Sequence, residues 1–203
     1  MVLKSDIKIL IKVKKAKRGT LFFTNDFTAF GKPDAIRQAL QRLVKSGEID
    51  RLAAGIFVRP QKDDITGKVM PDIEDVAKAI ARRDRVRIVP TGDYALNRLG
   101  LSTQVPMNIV YLTDGTARKI KIGNYTIVFK KVAPKNVAAI GEISRLAIQA
   151  LKTIGKQCIT KEEIQYIQTV LQDEKPTHLA YDIRLAPAWV QEIFKTIQKD
   201  LSK

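Results

Sequence analysis

Gln38, Gln41 and Arg42 sit at spacings that group them on one side of a helix, and all three are side chains able to read nucleic-acid bases. A glutamine amide bonds the adenine edge through two hydrogen bonds, and the arginine fork does the same for guanine. Lys32, Arg37 and Lys45 lie around them as charges for phosphate, and Arg51 and Arg59 follow, placed to track a backbone or enter a minor groove. No catalytic set of comparable quality assembles. His178 is the single histidine, which excludes a metal site built on two or three imidazoles. Cys158 is the single cysteine and lacks a nucleophile's neighbourhood, so it reads as a buried structural thiol. Neither G-x-x-x-x-G-K-[ST] nor G-x-G-x-x-G occurs. Asp72 and Glu74 stand where a helix should begin, so capping accounts for them; Asp93 is isolated, and Glu162-Glu163 opens another helix. The expectation is a protein that binds rather than catalyses, with no catalytic residues, no metal and no cofactor.

Composition agrees with a nucleic-acid partner. Among 203 residues, 36 are Lys or Arg and 21 are Asp or Glu, a net charge of +15 that attracts polyanions. With 45% hydrophobic residues the chain can bury a real core. The longest uncharged stretch, 99–113, carries Ser102, Gln104, Pro106 and Asn108 and is too short and polar to span a membrane. Lysines at 4, 8, 12, 14 and 15 interrupt any secretory segment, and one cysteine suits a reducing cytoplasm. The expected location is therefore cytoplasmic, without a membrane partner.

The elements that would position the base readers follow from periodicity. Leu3, Ile7, Leu10 and Ile11 mark one face of a first helix, which ends at the basic run before Gly19. Phe22 and Phe23 precede a short second helix, capped by Thr24 or Asn25 and stopped at Gly31. Pro33 starts the third helix, where Ile36, Ala39, Leu40, Leu43 and Val44 form an apolar stripe of helical period, closed by Gly47. A hairpin follows, from Ile49 to Leu52 and from Ile56 to Val58. Helix, short helix, amphipathic helix and hairpin in that order describe a winged helix-turn-helix binding double-stranded DNA.

Residues 61–71 turn polar and read as a linker, giving a DNA-binding domain over 1–64 and a second domain over 65–203. Thirteen basic residues face five acidic ones within 1–60, against 23 and 16 in the rest, so the first part is the more basic per residue. The second domain mixes types: helices near 72–83 and 94–99, strands over 85–90, 108–112, 119–122 and 125–131, then helices near 142–154, 161–172, 177–184 and 188–201. The overall class is α+β. Arg118, Lys119, Lys121, Lys130 and Lys131 fall in a stretch without acids, either a second basic surface or a solvated sheet face.

The chain resembles the AbiEi family, the antitoxins of AbiE-type (type IV) abortive-infection toxin–antitoxin systems of bacteria. The likeness lies in Phe27, the helix Ala35–Leu43, Gly47-Glu48-Ile49-Asp50-Arg51-Leu52 and Gly55-Ile56-Phe57. More specific is Pro90-Thr91-Gly92-Asp93-Tyr94-Ala95-Leu96-Asn97-Arg98-Leu99-Gly100-Leu101, followed by Gln104-Val105-Pro106, Val110-Tyr111-Leu112-Thr113 and Ile122-Gly123. The resemblance implies an autorepressor that binds its own operator. It also implies a nucleotidyltransferase-like toxin as a functional partner that need not be held in a stable complex. The alternative from a different class is a winged-helix transcription factor whose C-terminal domain senses a ligand or a protein, with no toxin partner.

Overall fold

The computed structural model describes residues 4–63 and 67–201, an α+β chain that divides into two compact units. One comprises residues 1–80 with 121–123, the other 81–120 with 124–203. The boundary expected between 64 and 65 lies outside the described residues.

In the first unit α1 (Lys4–Lys15) is followed by β1 (Leu21–Phe23), a short 3-10 helix (Thr24–Phe30), α2 (Pro33–Lys45), β2 (Asp50–Ala53) and β3 (Ile56–Val58). The apolar arc of α1 is wide, and packing takes one edge of it. Ile9 and Val13 are buried together with Asp6, whereas Ile7 and Ile11 are 48% and 50% exposed. Of the face expected to be buried, Leu10 packs against the core, Ile7 and Ile11 turn outward, and Leu3 lies outside the described residues. In α2 the expected stripe holds: Ile36, Ala39, Leu40 and Leu43 are buried against Ile9, Phe22, Phe27, Ile49 and Phe57. Its end is a Schellman turn in which Gly47 N–H bonds the Val44 carbonyl at 3.1 Å and Glu48 N–H the Leu43 carbonyl at 3.0 Å. Gly47 holds φ +74°, which a side chain would resist.

Neither Thr24 nor Asn25 caps the 3-10 helix. The Asp26 carboxylate reaches back to accept from Phe23 N–H at 2.7 Å, and Phe27 drops into the core 5.7 Å from the ring of Phe22. Strand β1, which is only three residues long, pairs with β3 opposite to β2, giving the antiparallel order β1-β3-β2. Instead of a plain linker, residues beyond Pro60 form an exposed hairpin, β4 (Gln61–Asp63) and β5 (Gly67–Val69), with Lys68 paired to Asp50 at 2.6 Å.

Further on come α3 (Ile73–Asp84), β6 (Ile88–Thr91), α4 (Asp93–Leu99), β7 (Asn108–Thr113), β8 (Arg118–Ile122) and β9 (Tyr125–Lys131). Asp72 does cap α3, accepting from Glu74 N–H at 2.8 Å. The strands order as β6-β7-β9-β8, with β6 antiparallel and β9 parallel to β7. Tyr111 is buried on β7 between the rings of Tyr94 and Phe129, at 5.8 and 6.0 Å. Helices α5 (Glu142–Ile154), α6 (Lys161–Leu171), α7 (Pro176–Ile183) and α8 (Ala188–Leu201) close a separate core around Leu151, Ile167, Val190 and Phe194.

The N-terminus of α5 is the polar centre of that core. Its N–H groups have no partner within the helix and are partly or wholly buried, and two carboxylates meet them. Asp182 accepts from Ile140 and Gly141 N–H at 2.8 and 2.9 Å, and Glu174 from Ile143 and Ser144 N–H at 2.8 and 3.1 Å. Burial pushes the Glu174 carboxyl up, but the N–H groups of Ser144, Ile143 and Lys175, together with His178, outweigh it and leave it below its ordinary 4.5. With the folded value below the unfolded one, the stabilisation is complete above about pH 4.5 and is lost as pH falls through the folded value. Thermal melts across an acid series are therefore expected to show a midpoint that declines below that pH, with a shallower decline in Glu174→Gln. An unchanged slope in the variant would remove Glu174 as the cause.

Candidate nucleic-acid interface

Burying one stripe of α2 fixes what the opposite face presents. Lys32, Arg37, Gln38, Gln41 and Lys45 are all exposed, as the periodicity requires. On one flank the helix and the β2–β3 hairpin enclose a cleft of about 290 Å³. Leu40, Val44 and Phe57 form its apolar floor, and Arg37, Gln41 and Lys45 from the helix face Arg51 from β2 across it. Thr24 and Gly55 complete the wall; the sequence reading placed Thr24 at a helix cap, Leu40 and Val44 in the buried stripe, and Gly55 and Phe57 in the hairpin rather than in the site. Gly55 turns the hairpin at φ +71°, a conformation that favours glycine.

The cleft cations are only lightly engaged. Arg37 pairs with Asp34 three residues earlier, and both side chains are well exposed, so the pair is readily exchanged for a phosphate. Arg51 Nε donates to the Ala53 carbonyl at a long 3.4 Å. Three cations and one amide thus converge on a groove with an apolar floor, an arrangement suited to a polyanion with flat, partly apolar edges.

Two of the residues expected at the DNA also have partners within the first unit. Arg42 turns to the other flank of α2 and grips Asp6 of α1, through Nε to Oδ2 and Nη2 to Oδ1, each at 2.8 Å. The hydrogen bond to Asp6 raises the Arg42 pKa further above its ordinary value. The fork occupies Nε and Nη2, while the side chain as a whole stays 42% exposed. Arg59 Nη1 donates to the carbonyls of Lys14, at 3.1 Å, and Ala16, closing the C-terminal end of α1 where unpaired carbonyls collect.

The second basic surface is also smaller than expected. Lys119, Lys121, Lys130 and Lys131 are exposed. Arg118 instead pairs with Asp84 and lies 5.3 Å over the Phe129 ring. Burial pushes the Asp84 carboxyl up, yet Arg83 and Arg118 outweigh it and hold it below its ordinary range. β8 is an edge strand, where exposed lysines discourage pairing with another chain. Cys158, expected to be buried, is exposed. His178 Nδ1 lies 3.4 Å from Glu174. Among the described residues no three His, Cys, Asp or Glu converge to hold a metal ion, and no helix is long and apolar enough to cross a membrane.

Arg42→Ala is therefore expected to lower the unfolding midpoint, because Asp6 stays buried without its bidentate partner, whereas Arg37→Ala leaves the midpoint nearly unchanged. Circular-dichroism melts of the two variants check this, and equal midpoints would show the fork to be dispensable.

Residues 8–179 match the model of a family of unknown function, DUF6088. No curated protein matches the chain. Among solved structures, the chain is similar to the crystal structure of the RV2827C protein from Mycobacterium tuberculosis, at 12% identity and a TM-score of 0.48, over 96% of this chain and 82% of that one.

Proposed function

The chain belongs to DUF6088, a family of unknown function, and we propose that its first unit is a winged helix-turn-helix that binds double-stranded DNA. The observation that carries this reading is the cleft rimmed by Arg37, Gln41, Lys45 and Arg51 beside the exposed face of α2. In this reading α2 enters the major groove. Gln38 and Gln41 meet base edges, Lys32, Arg37 and Lys45 meet phosphates, and Arg51 on the wing follows the adjacent backbone. Arg42 and Arg59, expected at the DNA as well, also bond to Asp6 and to the end of α1.

On that basis the protein acts in the cytoplasm as a repressor of its own operon. From its resemblance to the AbiEi family it serves as the antitoxin to a nucleotidyltransferase-like toxin. Support for the antitoxin role is the run Pro90–Leu101, whose Gly92-Asp93 junction starts α4 directly after β6, and Val110–Thr113 on β7 beside it. The ligand-sensing alternative draws on a different observation, a cavity in the second unit that is lined by cations.

The test is binding to the DNA upstream of the protein's own gene and to random DNA across a salt series. Tighter binding to the upstream DNA and a steep salt slope are expected. Gln41→Ala should weaken the upstream complex by about 1–3 kcal/mol more than the random one, while Lys45→Ala weakens both alike and reduces the salt slope by about one. Equal affinity for both DNAs would overturn the repressor reading. Failure to relieve the toxicity of a co-expressed toxin would overturn the antitoxin reading.

A further inference from the structure

We infer that a second cavity, within the second unit, binds a small phosphorylated molecule of mononucleotide size. The cavity measures about 370 Å³, within the range of small-molecule sites. One face of α5 supplies Arg145, Ile148, Gln149 and Lys152, at the i, i+3, i+4 and i+7 positions that a helix stacks together. Arg184 comes from the end of α7, and Lys135 from the 3-10 helix Pro134–Val137. Four cations thus surround the space and no carboxylate lines it.

Arginines elsewhere in the chain show the contrast. Arg42, Arg83 and Arg87 each have a carboxylate within 2.9 Å, from Asp6, Asp84 and Asp114 respectively. Arg145 is as enclosed as Arg83, at 25% against 26% side-chain exposure, yet its ion pair is a loose 3.8 Å contact with Glu142, itself 84% exposed. The Arg145 Nε is buried with no hydrogen-bond partner. A buried guanidinium donor left unmet costs free energy that a bound oxyanion would recover.

The remaining walls narrow the ligand class. Gln149 is 4% exposed and its Oε1 accepts from Thr91 Oγ1 at 3.3 Å, so a polar amide is fixed at the wall. Ile148, Leu185 and Pro187 add an apolar side. A charged end beside an apolar end fits a molecule with phosphate on one part and a ring or sugar on the other. A passing nucleic-acid strand is disfavoured, since none of the lining residues is the aromatic platform on which bases stack. The inference holds independently of whether α2 binds DNA.

Calorimetric titration of the full chain with AMP, ATP and inorganic tripolyphosphate, in buffer free of phosphate and sulfate, tests the site. At least one of them is expected to bind with micromolar to low-millimolar affinity and to raise the melting midpoint by mass action. Lys152→Gln and Lys135→Gln, both at exposed positions, should each weaken binding several-fold, and Arg145→Gln tenfold or more. Lys119→Gln and Lys130→Gln, outside the cavity, should have no effect. No binding by any of the three probes at millimolar concentration would overturn the inference. So would equal weakening by the outside variants, or a single-stranded oligonucleotide that binds through the same four cations more tightly than ATP.

Discussion

The Arg42 guanidinium meets the Asp6 carboxylate through two hydrogen bonds of 2.8 Å, and that fork fastens α2, whose buried stripe sets its outer face, to α1. Asp6 is buried in the interface of α1 with α2, where an unpaired carboxylate would be costly. Satisfying it draws the Arg42 flank of α2 toward α1. The opposite flank, with Arg37, Gln41 and Lys45, is then turned to the hairpin, where Arg51 completes the cleft. Arg59 works at the other end of α1, on carbonyls that its helix cannot pair. The two arginines therefore tie α1 to α2 and to the strand end at Arg59.

The second unit applies the same chemistry with the charges reversed. There the demand comes from the buried N-terminus of α5, and the chain answers it with Glu174 and Asp182 brought from the α6–α7 region. Those acids are consumed in capping, and Ser144 links them by donating its hydroxyl to Asp182. With the acids held at the start of α5, the cations further along the same helix, Arg145 and Lys152, line a cavity that no carboxylate lines, Arg145 keeping only its loose contact with Glu142.

Much of the fold was legible because its signals are local. Pro33 and Gly47 bracket α2, and the helix expected near 142–154 is α5, which starts after Gly141 and stops at Gly155. The hairpin turn at Gly123-Asn124 was legible for the same reason, as glycine supplies the φ of +58° that the turn requires. Strand β1 was missed because three residues are too few to show alternation. The inner face of α1 was misassigned because Ile7 and Ile11 are as apolar as Ile9 and Val13, and only the partner helix decides between them.

The candidate site was legible to the extent that it depends on helix period alone. Gln38, Gln41, Arg37 and Lys45 are exposed because Ile36, Leu40 and Leu43 are not. What periodicity cannot supply is the fate of a cation whose partner lies far along the chain. Arg42 answers to an acid 36 residues away, Arg118 to one 34 residues away, and Arg59 to a carbonyl 43 residues away. Each looked available to a ligand and each is committed to the fold. A net charge of +15 accordingly overstates the surface offered to a polyanion. Among the lightly held cations, Arg37, Lys45 and Arg51 in one unit and Lys135, Arg145, Lys152 and Arg184 in the other line two cavities. That clustering, more than the total charge, is the observation on which both proposals for anion binding rest.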